Sequence, residues 1–356
     1  MQKELSPEEQ VGVFTVENLP VLTKERIYVP AIDYLYKEYE DRKILAPLQS
    51  SLRLFPPEMQ PVVVQILVTH VTKEKPVFIH ALGKSFVKDS SLVCEVAACV
   101  DLLWALSMMI DDIVDNDQQR AGKPTSWVVF GRELTEQTVR QGLEIVGGIM
   151  EAKKNGVGAN LLKEHIERGL ASLKAPELSA LNSTSRELLD NIDRRASFHC
   201  ELPMQFMKWF SDTEGKNCLG LGMEALYASN RAGQVLNDLK DLVPSDLYGR
   251  QLFSDIKSGI VTVPISIMLQ RLSVPEMDNF SSMFGRNDLS ETEISYLKHL
   301  IVKRLDMGAV LEIVVSTYGL VMDRAKAIVM PQDLMVFDTW IHYKLAQAHQ
   351  LVGSIK

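Results

Sequence analysis

Asp101-Leu-Leu-Trp104-Ala-Leu-Ser-Met108-Met-Ile-Asp111-Asp112-Ile-Val-Asp115 is apolar apart from Ser107 and its acids. Asp101, Trp104, Met108, Asp111 and Asp115 recur at the spacing of one helical face, which predicts a greasy helix ending in carboxylates. Asp111 and Asp115 lie one turn apart, and like charges in poor solvent are costly unless a cation sits between them. Magnesium fits that role, because it takes oxygen ligands, keeps several waters and is held by one or two carboxylates plus substrate phosphates.

A second helix repeats the arrangement. In Arg231-Ala-Gly-Gln234-Val-Leu-Asn237-Asp238-Leu-Lys-Asp241, Gln234, Asp238 and Asp241 share one face and Asn237 sits beside it. Two such helices facing each other could clamp a diphosphate through metal. Between the two clusters, and beyond the second, lie loops with basic and small residues, Gln119-Arg120-Ala-Gly122-Lys123-Pro124-Thr125 and Asp255-Ile-Lys257-Ser-Gly259. Guanidinium and ammonium groups in such loops suit phosphate oxygens.

Outward from these motifs the chain reads as all-α. Helical spacing predicts helices over about 30–53, 58–73, 76–87, 90–118, 134–153, 158–173, 182–212, 215–242, 262–272, 291–316, 318–328 and 331–351. Strand alternation and two-residue hairpin signals are scarce. Breaks fall at Phe55-Pro56-Pro57, Lys123-Pro124, Lys154-Asn155-Gly156 and Pro244 to Gly259, and none resembles a domain linker. Residues 1–356 are therefore expected to form one antiparallel helical bundle around a deep cavity, with the stretch after Asp241 as a lid.

A 46% hydrophobic, 24% charged composition excludes disordered and fibrous classes. The net charge of −8, without any Lys/Arg block, argues against a nucleic-acid partner. Cys94, Cys99, Cys200 and Cys218 lack CxxC spacing and read as buried free thiols in a reducing compartment. The acidic start MQKELSPEEQ is unlike a secretory or transit signal, so a cytoplasmic location is expected. Leu92 to Ile110 is interrupted by Glu95 and Asp101 and does not read as transmembrane.

With these residues in place, the sequence resembles the trans-isoprenyl diphosphate synthase (polyprenyl synthetase) family and the class I terpene synthases that share its fold. The resemblance runs from about Pro76 to Pro264. Asp111-Asp112-Ile-Val-Asp115 is similar to the first aspartate-rich motif, DDxxD, and Arg120-Ala121-Gly122-Lys123-Pro124-Thr125 to the RRGKPT that follows it. Gln234 to Asp241 resembles the second aspartate motif with Asn237 in its first place. Asp255 to Pro264 resembles the DxxxGKxTxP element. The resemblance implies a helical bundle with magnesium, as three ions with bound diphosphate, and an allylic prenyl diphosphate at its mouth, in a homodimer.

Departures from the family pattern fall mainly where a second substrate, isopentenyl diphosphate, is bound. The GGKRxRP stretch stands as His70-Val-Thr-Lys73-Glu-Lys75-Pro76, the second Arg of RRG is Ala121, and Trp104 occupies a histidine position. Ile260 replaces a lysine, and Arg194-Arg195 replaces a Lys-Thr pair. The leading expectation is accordingly a class I terpene synthase acting on a C15 or C20 diphosphate. The alternatives are a prenyltransferase, using isopentenyl diphosphate or another acceptor, and a non-catalytic partner subunit. The resemblance assigns Asp111, Asp112, Asp115, Asn237, Asp238 and Asp241 to metal. Arg120, Arg195, Lys257 and Gln234 go to the diphosphate, and Trp104 is given a carbocation by cation–π attraction.

Overall fold

In the computed structural model, residues 15–17, 30–69, 72–120, 123–153, 164, 171, 178–211, 213–242 and 252–354 are described. Among them helices dominate: α1 (Pro30–Asp41), α2 (Leu45–Leu52), α3 (Gln60–Thr69), α4 (Glu74–Gly83), α5 (Ser90–Val114), α6 (Ser126–Phe130), α7 (Arg132–Lys153) and α8 (Ser185–Phe210). They are followed by α9 (Thr213–Asp241), α10 (Ser254–Ser258), α11 (Val263–Leu269), α12 (Val274–Met283), α13 (Glu291–Arg304), α14 (Met307–Ile328) and α15 (Pro331–Ser354). The one sheet among the described residues pairs β1 (Gln119–Arg120) with β2 (Lys123–Pro124), antiparallel, Arg120 opposite Lys123. The all-α expectation holds.

By internal contacts the chain divides into two compact units, the first comprising Met1–Lys174, Ser197–Met223 and Arg324–Trp340. Its spine is α5, which packs against α2, α3, α4, α6 and α7. Asp89 starts that helix by accepting from the backbone N–H of Ser91 and Leu92, satisfying donors that have no partner inside the first turn. Neighbours on every side explain why α5 is apolar all round. Its length and composition would allow a membrane span, yet 83% of its apolar window is buried inside the protein.

The second unit comprises Ala175–Ala196, Glu224–Asp323 and Ile341–Lys356. Here Arg231 of α9 forms an ion pair with Asp193 of α8, and α11 packs on α13. Gly259 and Gly285 both take left-handed φ values, 70° and 80°. A Cβ on Gly259 would lie 3.4 Å from the Gly285 Cα, an ordinary contact, so it is the backbone conformation that favours glycine at both positions.

Several predicted boundaries are corrected. The helix expected over 30–53 breaks at Lys43, which adopts φ 58°. The helix expected over 90–118 stops at Val114, and the chain turns through Asn116 at φ 56° into the β1–β2 hairpin, where no strand was expected. The break expected at 316–318 lies instead at Leu305–Asp306, where the Asp306 carboxylate accepts from the Ala309 N–H at 3.1 Å. Helix α12 was not predicted, although Ser273 and Glu276 form a capping box with proline in the first turn. Of the helix expected over 158–173 only residues 164 and 171 are described, both helical, and the rest lies outside the described residues.

Candidate functional site

The first acidic motif closes α5. Asp115 is its C-cap, with N–H donating to the Asp111 carbonyl at 2.8 Å, which stacks the two carboxylates one turn apart at an exposed helix end. The Asp111 side chain is 40% exposed, whereas that of Asp112, the next residue round the helix, is 1% exposed. Asp112 faces Arg120 from β1: Nε and a terminal nitrogen reach its Oδ1 at 2.7 and 2.6 Å. The same guanidinium reaches Asp111 Oδ2 at 3.3 Å. Burial pushes the Asp112 carboxyl up to about 6, with Arg120 pulling the other way, and its Oδ2 is buried without a hydrogen-bond partner.

The hairpin carrying Arg120 is held from two sides. Trp127 Nε1 donates to the carbonyls of Asp112 at 3.1 Å and Asp117 at 2.9 Å, while Thr125 Oγ1 donates to Asp117 at 2.8 Å. From α3, Gln65 Nε2 donates to the Pro124 carbonyl at 2.8 Å, and its Oε1 accepts from the Ser126 hydroxyl. The sequence reading assigned nothing to Gln65 or Trp127. A signal existed for Gln65, a polar residue inside the apolar run Val62-Val-Val-Gln65-Ile-Leu-Val68.

Deeper along α5, Lys73 and Asp101 form a buried ion pair at 2.8 Å, with side chains 2% and 1% exposed, and Tyr39 OH donates to the same carboxylate at 2.9 Å. Two residues on, the Lys75 ammonium lies 3.0 Å from the centroid of the Trp104 ring. Desolvation brings that amine down to about 8. One face of Trp104, assigned above to a carbocation, is thus covered by the protein's own cation. Lys73 and Lys75 were read as remnants of an anion-binding stretch, and what the sequence did not reveal is that both have internal partners.

The second motif belongs to the second unit. Gln234 Nε2 donates to Asp238 Oδ1 at 2.7 Å, and Lys240 Nζ approaches Asn237 Oδ1 at 3.4 Å. Asp241, grouped with the metal ligands above, is hydrogen-bonded to the start of α10. Its Oδ1 accepts from Ser254 N–H at 2.8 Å and from the Ser254 hydroxyl, and its Oδ2 from Asp255 N–H at 3.2 Å, capping α10. Lys257 is part-buried on that short helix, which is entered through Phe253 at φ 61°. Arg195 is half-buried on α8.

Among the described residues no group of three or more His, Cys, Asp or Glu side chains forms a ready-made metal cage. Magnesium needs none: one or two carboxylates and substrate phosphates suffice. The donor set of Asp111 and Asp115 fits that ion, as does the pair of Asn237 and Asp238, whereas the oxygens of Asp241 are committed to backbone N–H groups.

Among solved structures, a decaprenyl diphosphate synthase from Rhodobacter capsulatus superimposes with a TM-score of 0.75 at 14% identity, covering 89% of this chain and 99% of that one. That likeness shows the fold. The family model described as "Polyprenyl synthetase" matches residues 63–301, and the chain belongs to that family.

A short chain isoprenyl diphosphate synthase from Methanocaldococcus jannaschii is 28% identical over 217 residues, 58% of this chain. The chain spans 64% of that relative's length. The heptaprenyl diphosphate synthase component 2 of Bacillus subtilis is 21% identical over 297 residues, 82% of each chain. These relatives back the prenyltransferase alternative above the expected terpene cyclase.

Proposed function

We propose that this protein is a magnesium-dependent prenyltransferase that takes an allylic prenyl diphosphate, transfers its prenyl group to an acceptor and releases diphosphate. The observation that carries the reading is the end of α5, where Asp111, one turn from the exposed Asp115, lies 3.3 Å from the Arg120 guanidinium. Carboxylates alone would repel a diphosphate, and an adjacent arginine would not.

Asp111 and Asp115 would hold magnesium on α5, and on α9 the pair of Asn237 and Asp238 has the oxygen donors to hold it likewise. When bound, magnesium supplies the positive charge that lets diphosphate depart. Arg120 donates to phosphate oxygens as their charge grows, and Asp112 keeps its guanidinium oriented. Gln234 orients the Asp238 carboxylate, and Asp241 holds α10 so that Lys257 is presented to phosphate; Arg195 adds a further cation. An apolar wall keeps water from the cation.

A second reading, cyclisation of a C15 or C20 diphosphate without an acceptor, draws on one observation: the Lys73 ammonium, in the stretch expected to bind a second diphosphate, is buried against Asp101. The likeness to a protein named as a component supports assembly with another chain, either a partner subunit or a second copy of this one. A cytosolic setting suits four cysteines that form no disulfide among the described residues.

The test is product analysis by gas chromatography and mass spectrometry after incubation with magnesium and geranyl, farnesyl or geranylgeranyl diphosphate, each with and without isopentenyl diphosphate. A longer prenyl alcohol after phosphatase treatment, formed only with isopentenyl diphosphate, supports transfer to that acceptor. A hydrocarbon or terpene alcohol formed without it supports cyclisation. No product under any condition sinks cyclisation and transfer to isopentenyl diphosphate, and points to another acceptor or to a partner subunit.

A further inference from the structure

Arg120 stands on a two-residue strand, too short to hold a long side chain in one direction by its own ladder. The carboxylate it meets, Asp112, belongs to the last turn of α5, so the guanidinium is aimed only if the helix end and the hairpin keep a fixed relation. The indole N–H of Trp127 is shared between the carbonyls of Asp112 and Asp117, one in the helix and one in the turn that leaves it. The Asp117 N–H also donates to the Asp112 carbonyl at 2.9 Å. On the far side, Gln65 fixes β2 through the Pro124 carbonyl and the following helix through Ser126, both from a side chain that is 3% exposed.

We propose that Trp127 and Gln65 are positioning residues that act through Arg120, fixing the hairpin so that its guanidinium reaches diphosphate oxygens. The inference rests on the proposed function and adds two residues to it. Neither side chain touches substrate. Gln65 supplies the Pro124 carbonyl with its donor, while Trp127 ties together two carbonyls that the Asp117 N–H and Thr125 also reach, so removing the indole N–H loosens the link between helix end and turn. A bidentate arginine loses its advantage when its fork is turned by a fraction of an ångström, whereas a point-charge lysine is less sensitive to direction.

The test is a double-mutant cycle on the whole chain, read as the binding of inorganic diphosphate with magnesium by titration calorimetry. Trp127→Phe keeps the ring and removes the N–H; Arg120→Lys keeps the charge and removes the fork. Trp127→Phe alone is expected to weaken diphosphate binding roughly tenfold, and within about twofold when Lys occupies position 120. Gln65→Leu should behave likewise and serves as the second variant if Trp127→Phe lowers the yield of folded protein. Equal losses in both backgrounds, or unchanged binding by both single variants, overturn the inference while the proposed function stands. If the wild-type chain binds no diphosphate with magnesium, the proposed function falls and this inference with it.

Discussion

Arg120 donates from two nitrogens to a single oxygen of Asp112, and the second oxygen of that buried acid has no hydrogen-bond partner. The pair is therefore lopsided: the arginine is well anchored and the carboxylate incompletely solvated by protein. Burial outweighs the guanidinium and moves the Asp112 carboxyl up to about 6. Ionised Asp112 thus serves orientation more than stability. Asp112→Asn should leave stability at pH 8 unchanged or higher in urea unfolding, while diphosphate affinity falls by about tenfold as Arg120 loses its anchor. A large loss of stability with affinity intact would reverse that division of labour.

Asp111 and Asp241 sit in corresponding acidic motifs but are built for different work. Asp111→Ala, at an exposed helix end, should shift the urea midpoint little, since surface changes stay within about 0.5 kcal/mol. Magnesium-dependent turnover should drop by at least about a hundredfold. Asp241→Ala strands the N–H groups of Ser254 and Asp255 and should cost about 1–2 kcal/mol. Its magnesium dependence, measured by titrating the ion at saturating substrate, should match the wild type. A raised magnesium requirement would return Asp241 to the ligands.

The helices and the acidic motifs were legible because each leaves a periodic trace: Trp104, Met108, Asp111 and Asp115 announce a face wherever the helix goes. What was hidden depends on partners far apart in sequence. Lys73 reads as part of an anion-binding stretch until it meets Asp101 and Tyr39, and nothing in the sequence around Trp127 announces that its N–H bridges two carbonyls. The break before α14 and the start of α12 were written in local chemistry that periodicity overrode, Asp306 in one case and Ser273-Val-Pro-Glu276 in the other. Apolar residues running through Leu305 disguise the first, and the short length of α12 the second.

Acid should loosen the first unit through His80. Desolvation, then Arg42 and Lys84, bring this imidazole down to about 4 from an ordinary 6.5; Asp333 opposes them. Arg42 donates to Nδ1 at 3.0 Å, Nε2 faces the Cys94 sulfur at 3.6 Å, and the neutral ring is the form these contacts accept. Because the folded state resists the proton that the unfolded state takes up, His80 contributes stability above pH 6.5 that is lost as pH falls toward 4. The loss is about 3 kcal/mol at most. Asp333, held low by Lys84 and Arg42, extends the decline below that window. Urea unfolding across pH 4–8 should show the slope, and His80→Gln should remove its upper part; an unchanged slope would assign it to another group.

The ion pair of Lys73 and Asp101 predicts a cycle of its own. With both side chains almost wholly buried, Asp101→Asn leaves an ammonium in the interior with its counter-charge gone, a change that costs about 3–5 kcal/mol. Tyr39 adds to the effect. Its phenol, kept protonated by burial and by Asp101, now donates to a weaker acceptor. Lys73→Met alone strands the carboxylate instead and should cost a similar amount. Combined, the two changes remove both charges, and a thioether fills the lysine's channel, so the double variant should be more stable than either single one. Urea unfolding of the four proteins gives the coupling directly. Simple additivity would mean that water reaches one of the charges, and the pair would then be neither a buried bridge nor the reason Lys73 is withheld from a substrate.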